Sequence, residues 1–262
     1  MKLEVVVRKP VDSFRPTPLL FVHGYWHAAW CWTEHFLPYF AQQGFTAYAL
    51  SLRGHGASEG RERLRWISVA DYVDDVRQVI GELSTPPVLV GHSLGGLIVQ
   101  KYLESESVPA AVLMASVPPQ GVLRSTLQAM LHHPFAFTKS NLTMSPIHSV
   151  GTPKLAQEAF FSSDIGEENL SKYFAQIQND SYRAYLDMML FSLPRPKLVK
   201  TPMLVLGAAN DAFFTAKEIK ATAQAYDTKA EIFPNMAHDM MLESGWQGVA
   251  DRIVGWLGEK GI

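Results

Sequence analysis

Residues 87–96 read Pro-Val-Leu-Val-Gly-His-Ser-Leu-Gly-Gly, and this decapeptide restricts the fold more than any other stretch of the chain. The aliphatic run behind the prolines patterns a short buried strand, and Leu94 to Leu103 carries apolar residues at helical spacing. A single residue, Ser93, separates the two periods. A turn that abrupt brings neighbouring backbone too close for side chains two residues either side, which is why Gly91 and Gly95 stand there. It also sets the Ser93 hydroxyl at a helix N-terminus, where free amides favour developing negative charge.

The surrounding sequence repeats this strand-then-helix rhythm, the signature of a parallel sheet with crossover helices. Leu19 to Val22, Phe45 to Leu50, Val88 to Val90, Ala110 to Ala115, Met203 to Leu206 and Ala230 to Phe233 read as strands, with Met1 to Pro10 as an edge strand. Helical periods cover Trp30 to Gln42, Val69 to Leu83 with Ser68 as N-cap, Leu94 to Leu103, Thr215 to Tyr226, and Trp246 to Leu257. Pro118 to Lys197 breaks the rhythm: it has no convincing strand, helical stretches at Leu170 to Gln178 and Tyr182 to Phe191, and many Phe, Tyr, Met and Leu residues. A segment that long is no plain connection. The expected organisation is an α/β core of residues 1–117 and 198–262, a mostly parallel central sheet flanked by helices, with a helical cap inserted at 118–197.

Composition narrows the function. A chain of 262 residues, 47% hydrophobic and 18% charged, can bury a full enzyme core. Its formal charge of −2 offers no field for nucleic acid or anionic lipid. The basic run Arg61, Arg63 and Arg65, interrupted by Glu62 and Leu64, reads as a solvated loop. One cysteine, Cys31, permits no internal disulfide and no cysteine-rich metal site. With no signal-peptide pattern and no apolar run near the roughly 18 residues of a membrane span, a cytoplasmic protein without a stable membrane anchor is expected. No cofactor or metal is called for, and the expected partner is a small-molecule substrate.

A serine hydroxyl is a weak nucleophile at neutral pH and needs a base, itself oriented by a carboxylate. Of nine histidines, His238 alone follows His148, in a loop behind the strand Ala230 to Phe233; His132, His133 and His148 fall in the cap. Asp211 emerges directly behind the strand Met203 to Leu206, at the sheet edge expected for Ser93. Asp239 adjoins His238 and is expected to point elsewhere, while Glu218 and Asp227 lie along or beyond a helix. The order Ser93, Asp211, His238 thus supplies nucleophile, acid and base. The turn geometry makes the Leu94 amide one oxyanion donor, and the loop Phe21-Val-His-Gly-Tyr-Trp offers the Tyr25 amide as a second. His23 reads as a structural partner of that loop. Trp26 and His92 are candidates for the substrate pocket; Trp26, His27, Trp30 and Trp32 together read equally as pocket lining or as core.

These residues make the chain resemble the α/β-hydrolase superfamily: His23-Gly24, Gly91-His92-Ser93-Leu94-Gly95-Gly96, and Asp211 with His238. Phe21 to Trp32 resembles the opening loop of the plant esterase and hydroxynitrile lyase branch. Leu52-Arg-Gly-His-Gly-Ala-Ser58 is similar to a loop of monoacylglycerol-lipase-like and peroxidase-like bacterial esterases. The resemblance implies a serine hydrolase that cleaves a carboxylic ester through an acyl-enzyme on Ser93. Phe135, Phe137, Phe160, Phe161, Tyr173, Phe174 and Met188 to Leu190 suggest an apolar acyl or alcohol group. The scaffold also hosts lyases, C–C bond hydrolases and ligand-binding receptors, which stand as alternatives. Dehalogenases and epoxide hydrolases of this fold use aspartate where this chain has Ser93.

Overall fold

A computed structural model describes residues 1–262. The apolar runs form seven strands: β1 (Glu4–Arg8), β2 (Leu19–Val22), β3 (Ala47–Ser51), β4 (Val88–His92), β5 (Ala111–Met114), β6 (Met203–Ala208) and β7 (Ala230–Phe233). They build one sheet in the order β1-β3-β2-β4-β5-β6-β7. Only β1 runs antiparallel, pairing with β3; the other neighbours are parallel. Every residue of β2, β4, β5 and β6 is buried, as sheets covered on both faces require, so these strands read as continuous apolar runs.

Helices α1 (Trp30–Thr33), α2 (Phe36–Gln42), α3 (Val69–Glu82), α4 (Leu94–Tyr102), α10 (Ala216–Ala225) and α11 (Trp246–Glu259) flank the sheet. Ser68 caps α3 through a reciprocal capping box with Asp71. The single helix expected over Trp30 to Gln42 is broken into α1 and α2. Pro38 is the cause: it has no amide to donate, and its ring collides with the carbonyl four residues back, that of Glu34. Arg61–Trp66 is a short 3₁₀ turn rather than an irregular loop, with its three arginines exposed and Leu64 buried.

Between β5 and β6 the chain inserts a helical region with α5 (Leu123–His132), α6 (Pro134–Thr143), α7 (Pro153–Phe160), α8 (Glu167–Phe174) and α9 (Tyr182–Leu186), which runs on into a π turn at Asp187–Phe191. Helix α8 starts earlier than its apolar period because Glu167 and Glu168 suit the positive end of its dipole. The insertion is tied to the core by buried polar side chains. Asp187 Oδ2 accepts the Val69 amide at 2.9 Å, and Ser181 Oγ donates to the Ile67 carbonyl at 2.5 Å. No helix is long and apolar enough to cross a membrane.

The chain passes from β2 to β3 in one direction and from β3 to β4 in the other, so order reverses between β2 and β4. Ligand sites of open α/β sheets lie outside the carboxyl ends of strands at such a reversal. The loops after β2 and β4 meet there.

Candidate active site

Ser93 joins β4 to α4 with φ 51° and ψ −117°, a conformation that a non-glycine residue holds only when its surroundings force it. The forcing is visible in the glycines. A Cβ on Gly95 would lie 2.2 Å from the Val22 carbonyl oxygen, and one on Gly91 would lie 2.5 Å from the Gly95 carbonyl oxygen. Gly24 packs onto the turn itself, where a Cβ would stand 2.9 Å from Ser93 Cβ. The Ser93 amide donates to Met114 O at 3.1 Å, and the Ser93 carbonyl accepts the amides of Gly96, Leu97 and Val117. The Leu94 and Tyr25 amides have no hydrogen-bond partner within the protein, and Tyr25 lines the same cavity as Ser93.

Asp211 follows β6 and His238 follows β7, at the same carboxyl edge. His238 Nδ1 lies 2.9 Å from Asp211 Oδ2 and 3.0 Å from Oδ1. Asp211 Oδ1 also accepts the amides of Phe213 at 2.7 Å and Phe214 at 3.1 Å, which fixes the carboxylate plane. Both side chains are almost fully buried. The carboxylate assigns the proton to Nδ1, leaving Nε2 as the basic nitrogen. Ser93 and His238 line the same cavity, with no hydrogen bond joining them. Such contacts commonly close only when substrate is bound.

That cavity has a volume of about 130 Å³ and adjoins a second chamber of about 440 Å³, here called the outer one. Trp26, Phe137 and Phe213 belong to both walls. Of the aromatic residues in question, Trp26, Phe137 and Phe160 line the inner cavity with Met188, whereas Phe161 and Tyr173 pack the insertion against the core and Phe135 is exposed. His27 and Trp32 are completely buried and belong to the core. His132 and His133 line the outer chamber. His92, expected at the substrate pocket, lies outside its wall. It is fully buried, and its Nε2 donates to the His238 carbonyl at 3.0 Å. Burial, reinforced by repulsion from His238, lowers its pKa to about 3 and keeps it neutral. His23 likewise is structural: Nδ1 donates to Gly24 O at 2.8 Å and Nε2 accepts the Leu52 amide at 3.1 Å.

Two buried acids complete the surroundings: Asp239, expected from its place beside His238 to point elsewhere, and Asp180, which sequence reasoning does not single out. Asp239 turns away from the cavity, and its Oδ2 lies 2.8 Å from His27 Nε2. Burial pushes the Asp239 pKa up, but the charge and hydrogen bond of His27 pull it below the usual carboxylate range. Asp180, from the insertion, accepts the Trp26 amide at 2.7 Å. His92, His238 and Asp239 each have one ligand-type atom within 4.8 Å of the others. Each makes one hydrogen bond, His92 Nε2 to a carbonyl, His238 Nδ1 to Asp211 and Asp239 Oδ2 to His27, while His92 Nδ1 and Asp239 Oδ1 have no hydrogen-bond partner. The arrangement as a whole supplies a hydroxyl at a helix N-terminus and a carboxylate-held imidazole on one apolar cavity, with the Tyr25 amide beside it and the Leu94 amide directly after the serine.

The chain is similar to the monoacylglycerol lipase of Mycolicibacterium smegmatis, at 34% identity over 89 residues, covering 32% of this chain and 31% of the lipase. It spans no more than 31% of the length of that lipase or of bovine protein phosphatase methylesterase 1. Among solved structures, a protein described as a non-heme bromoperoxidase from Mycobacterium tuberculosis superposes with a TM-score of 0.80 at 19% identity, over 99% of this chain and 97% of the other. The esterase from Exiguobacterium antarcticum superposes with a TM-score of 0.77 at 17% identity, over 98% and 95%. Likenesses at that identity establish the fold. Residues 19–252 match the alpha/beta hydrolase family, and a match running from β2 into α11 places this chain in that family.

Proposed function

We propose that the protein is a serine ester hydrolase with Ser93 as nucleophile, His238 as general base and Asp211 as its orienting acid. One observation carries the reading: Ser93 is held at φ 51° on the wall of a cavity that it shares with a carboxylate-bound imidazole. His238 Nε2 takes the Ser93 proton as Oγ attacks the ester carbon, and the Tyr25 and Leu94 amides receive the oxyanion. The protonated imidazole returns its proton to the departing alcohol. Water, deprotonated by the same nitrogen, then cleaves the acyl-enzyme. Residues 118–197 serve as the cap that shapes the cavity.

The inner volume of about 130 Å³ suits one small group, since an engineered cavity of about 150 Å³ holds benzene. The acyl group is therefore a short chain or small ring, with a larger alcohol in the outer chamber. The test is intact-mass spectrometry after exposure to a fluorophosphonate, with wild type and Ser93→Ala in parallel, alongside hydrolysis of p-nitrophenyl esters. One adduct on wild type alone, and turnover at least about 10⁴-fold lower in the variant, is the expected result. Folded wild-type protein that takes no adduct and turns over no ester would remove the reading.

A further inference from the structure

The Arg53-Gly54-His55-Gly56 loop and the buried Asp180 are left unused by the chemistry above, and they meet at the back of the proposed oxyanion hole. Two consecutive peptides are gripped there. The Gly24–Tyr25 peptide, whose N–H is the proposed donor, has its carbonyl held by His23 Nδ1 at 2.8 Å and by the His27 amide at 3.3 Å. The next peptide has its N–H, from Trp26, on Asp180 Oδ2 at 2.7 Å, and its carbonyl, from Tyr25, on His27 Nδ1 at 2.8 Å.

Trp26 needs such support, because its φ of 68° is an outlier for a bulky residue. Asp180 is suited to give it. Its side chain is inaccessible to solvent, its Oδ1 accepts the Ser181 amide at 2.6 Å, and His55 Nε2 lies 3.0 Å from Oδ2. On the opposite end, both His27 nitrogens face acceptors, Tyr25 O and Asp239 Oδ2, which the imidazolium form satisfies together. Burial opposes that charge, yet Asp239 outweighs it and the His27 pKa is raised.

We propose that Asp180 is a positioning residue for the oxyanion hole: this acid of the inserted helices, with His27 opposing it, fixes the Tyr25–Trp26 peptide and through it the direction of the Tyr25 amide. The inference rests on the hydrolase reading of Ser93. Its consequence is that docking of the insertion through Asp180 is required for turnover, beyond any role of the insertion in shaping the cavity.

The test compares Asp180→Ala and Asp180→Asn with Ser181→Ala, which removes the neighbouring tie to Ile67 but leaves the Trp26 amide bonded. Ester kinetics, thermal melting and inhibition by an alkylboronic acid, which forms a tetrahedral anion on the serine, are measured for each. Asp180→Ala is expected to lower kcat about 10- to 100-fold, with the boronate inhibition constant rising in step and KM changed less than about threefold. Asp180→Asn keeps one acceptor oxygen and falls between. Ser181→Ala melts lower but keeps kcat within about twofold. Asp180 variants whose kcat and boronate affinity change no more than those of Ser181→Ala would overturn the proposal; Asp180→Asn alone decides if the alanine variant does not fold. Undiminished turnover by Ser93→Ala would instead refute the hydrolase reading beneath it.

Discussion

Replacing Asp211 by asparagine separates the proposed proton chemistry from substrate binding, and the structure dictates how the amide must sit. Oδ1 of Asp211 accepts two backbone amides, from Phe213 and Phe214, while both oxygens lie within 3.0 Å of His238 Nδ1. An asparagine has one acceptor oxygen. Turned toward Phe213 and Phe214, it satisfies two donors and aims its NH₂ at Nδ1; turned the other way, the NH₂ collides with two N–H groups. The first orientation wins, and Nδ1 must then accept. The imidazole proton moves to Nε2, the nitrogen that has to take the Ser93 proton. Loss of the right tautomer costs about 10⁴ in kcat in a comparable triad, or about 5.5 kcal/mol of transition-state stabilisation. Asp211 is absent from the cavity wall, so KM should stay within about threefold. Steady-state kinetics on a short p-nitrophenyl ester, with melting curves to confirm folding, measure both. A variant within about tenfold of wild-type kcat, or one altered only in KM, would show that Asp211 is not the orienting acid.

Gly95→Ala should melt about 2–12 °C lower, because its Cβ meets the Val22 and His23 carbonyls, backbone atoms that cannot yield, and overpacking costs about 1–3 kcal/mol; scanning calorimetry decides. Phe137→Ala removes a wall shared by the two chambers and should raise kcat/KM for an octanoyl relative to an acetyl ester about tenfold or more, at about 0.8 kcal/mol per newly buried methylene. Paired ester kinetics would show it, and an unchanged ratio would place the acyl group elsewhere. His92 is held neutral, its pKa of about 3 lying below the 6.5 of the unfolded chain. Between those values the unfolded state binds a proton that the folded state refuses, so stability falls as pH drops from 6.5 toward 3. His92→Gln keeps a donor for the His238 carbonyl without that liability, and the midpoint of acid unfolding, followed by circular dichroism, should move down by about half a pH unit.

What the chain discloses in its sequence is what is local. Ser93, its glycines, Asp211 and His238 each stand within a few residues of a strand end, where the period of the apolar residues changes. The break between α1 and α2 is local too, and Pro38 is the signal for it. Contacts across the chain leave no such trace. His27 and Asp239 are 212 positions apart, and Trp26 and Asp180 are 154 apart. In sequence, Asp180 is one acid among 25 in an Asn-Asp-Ser stretch that fits an exposed turn equally well. His92 shows the same limit from the other side: the residue before the serine stands beside the cavity in sequence but behind it in space.

The loop after β7 explains why neighbours in sequence divide this way. His238 and Asp239 are consecutive, and the backbone sends their side chains apart. His238 faces the cavity with Asp211 behind it; Asp239 faces the core and holds His27, which in turn grips the Tyr25 carbonyl. One loop therefore braces both the proposed base and, through His27, the peptide beside the proposed oxyanion donor. Its own backbone is pinned by His92 on the His238 carbonyl, and by the Asp239 amide, which donates to the Phe160 carbonyl of the insertion at 3.0 Å. Such bracing places charge and amides before the substrate arrives, so little reorganisation remains at the moment of reaction.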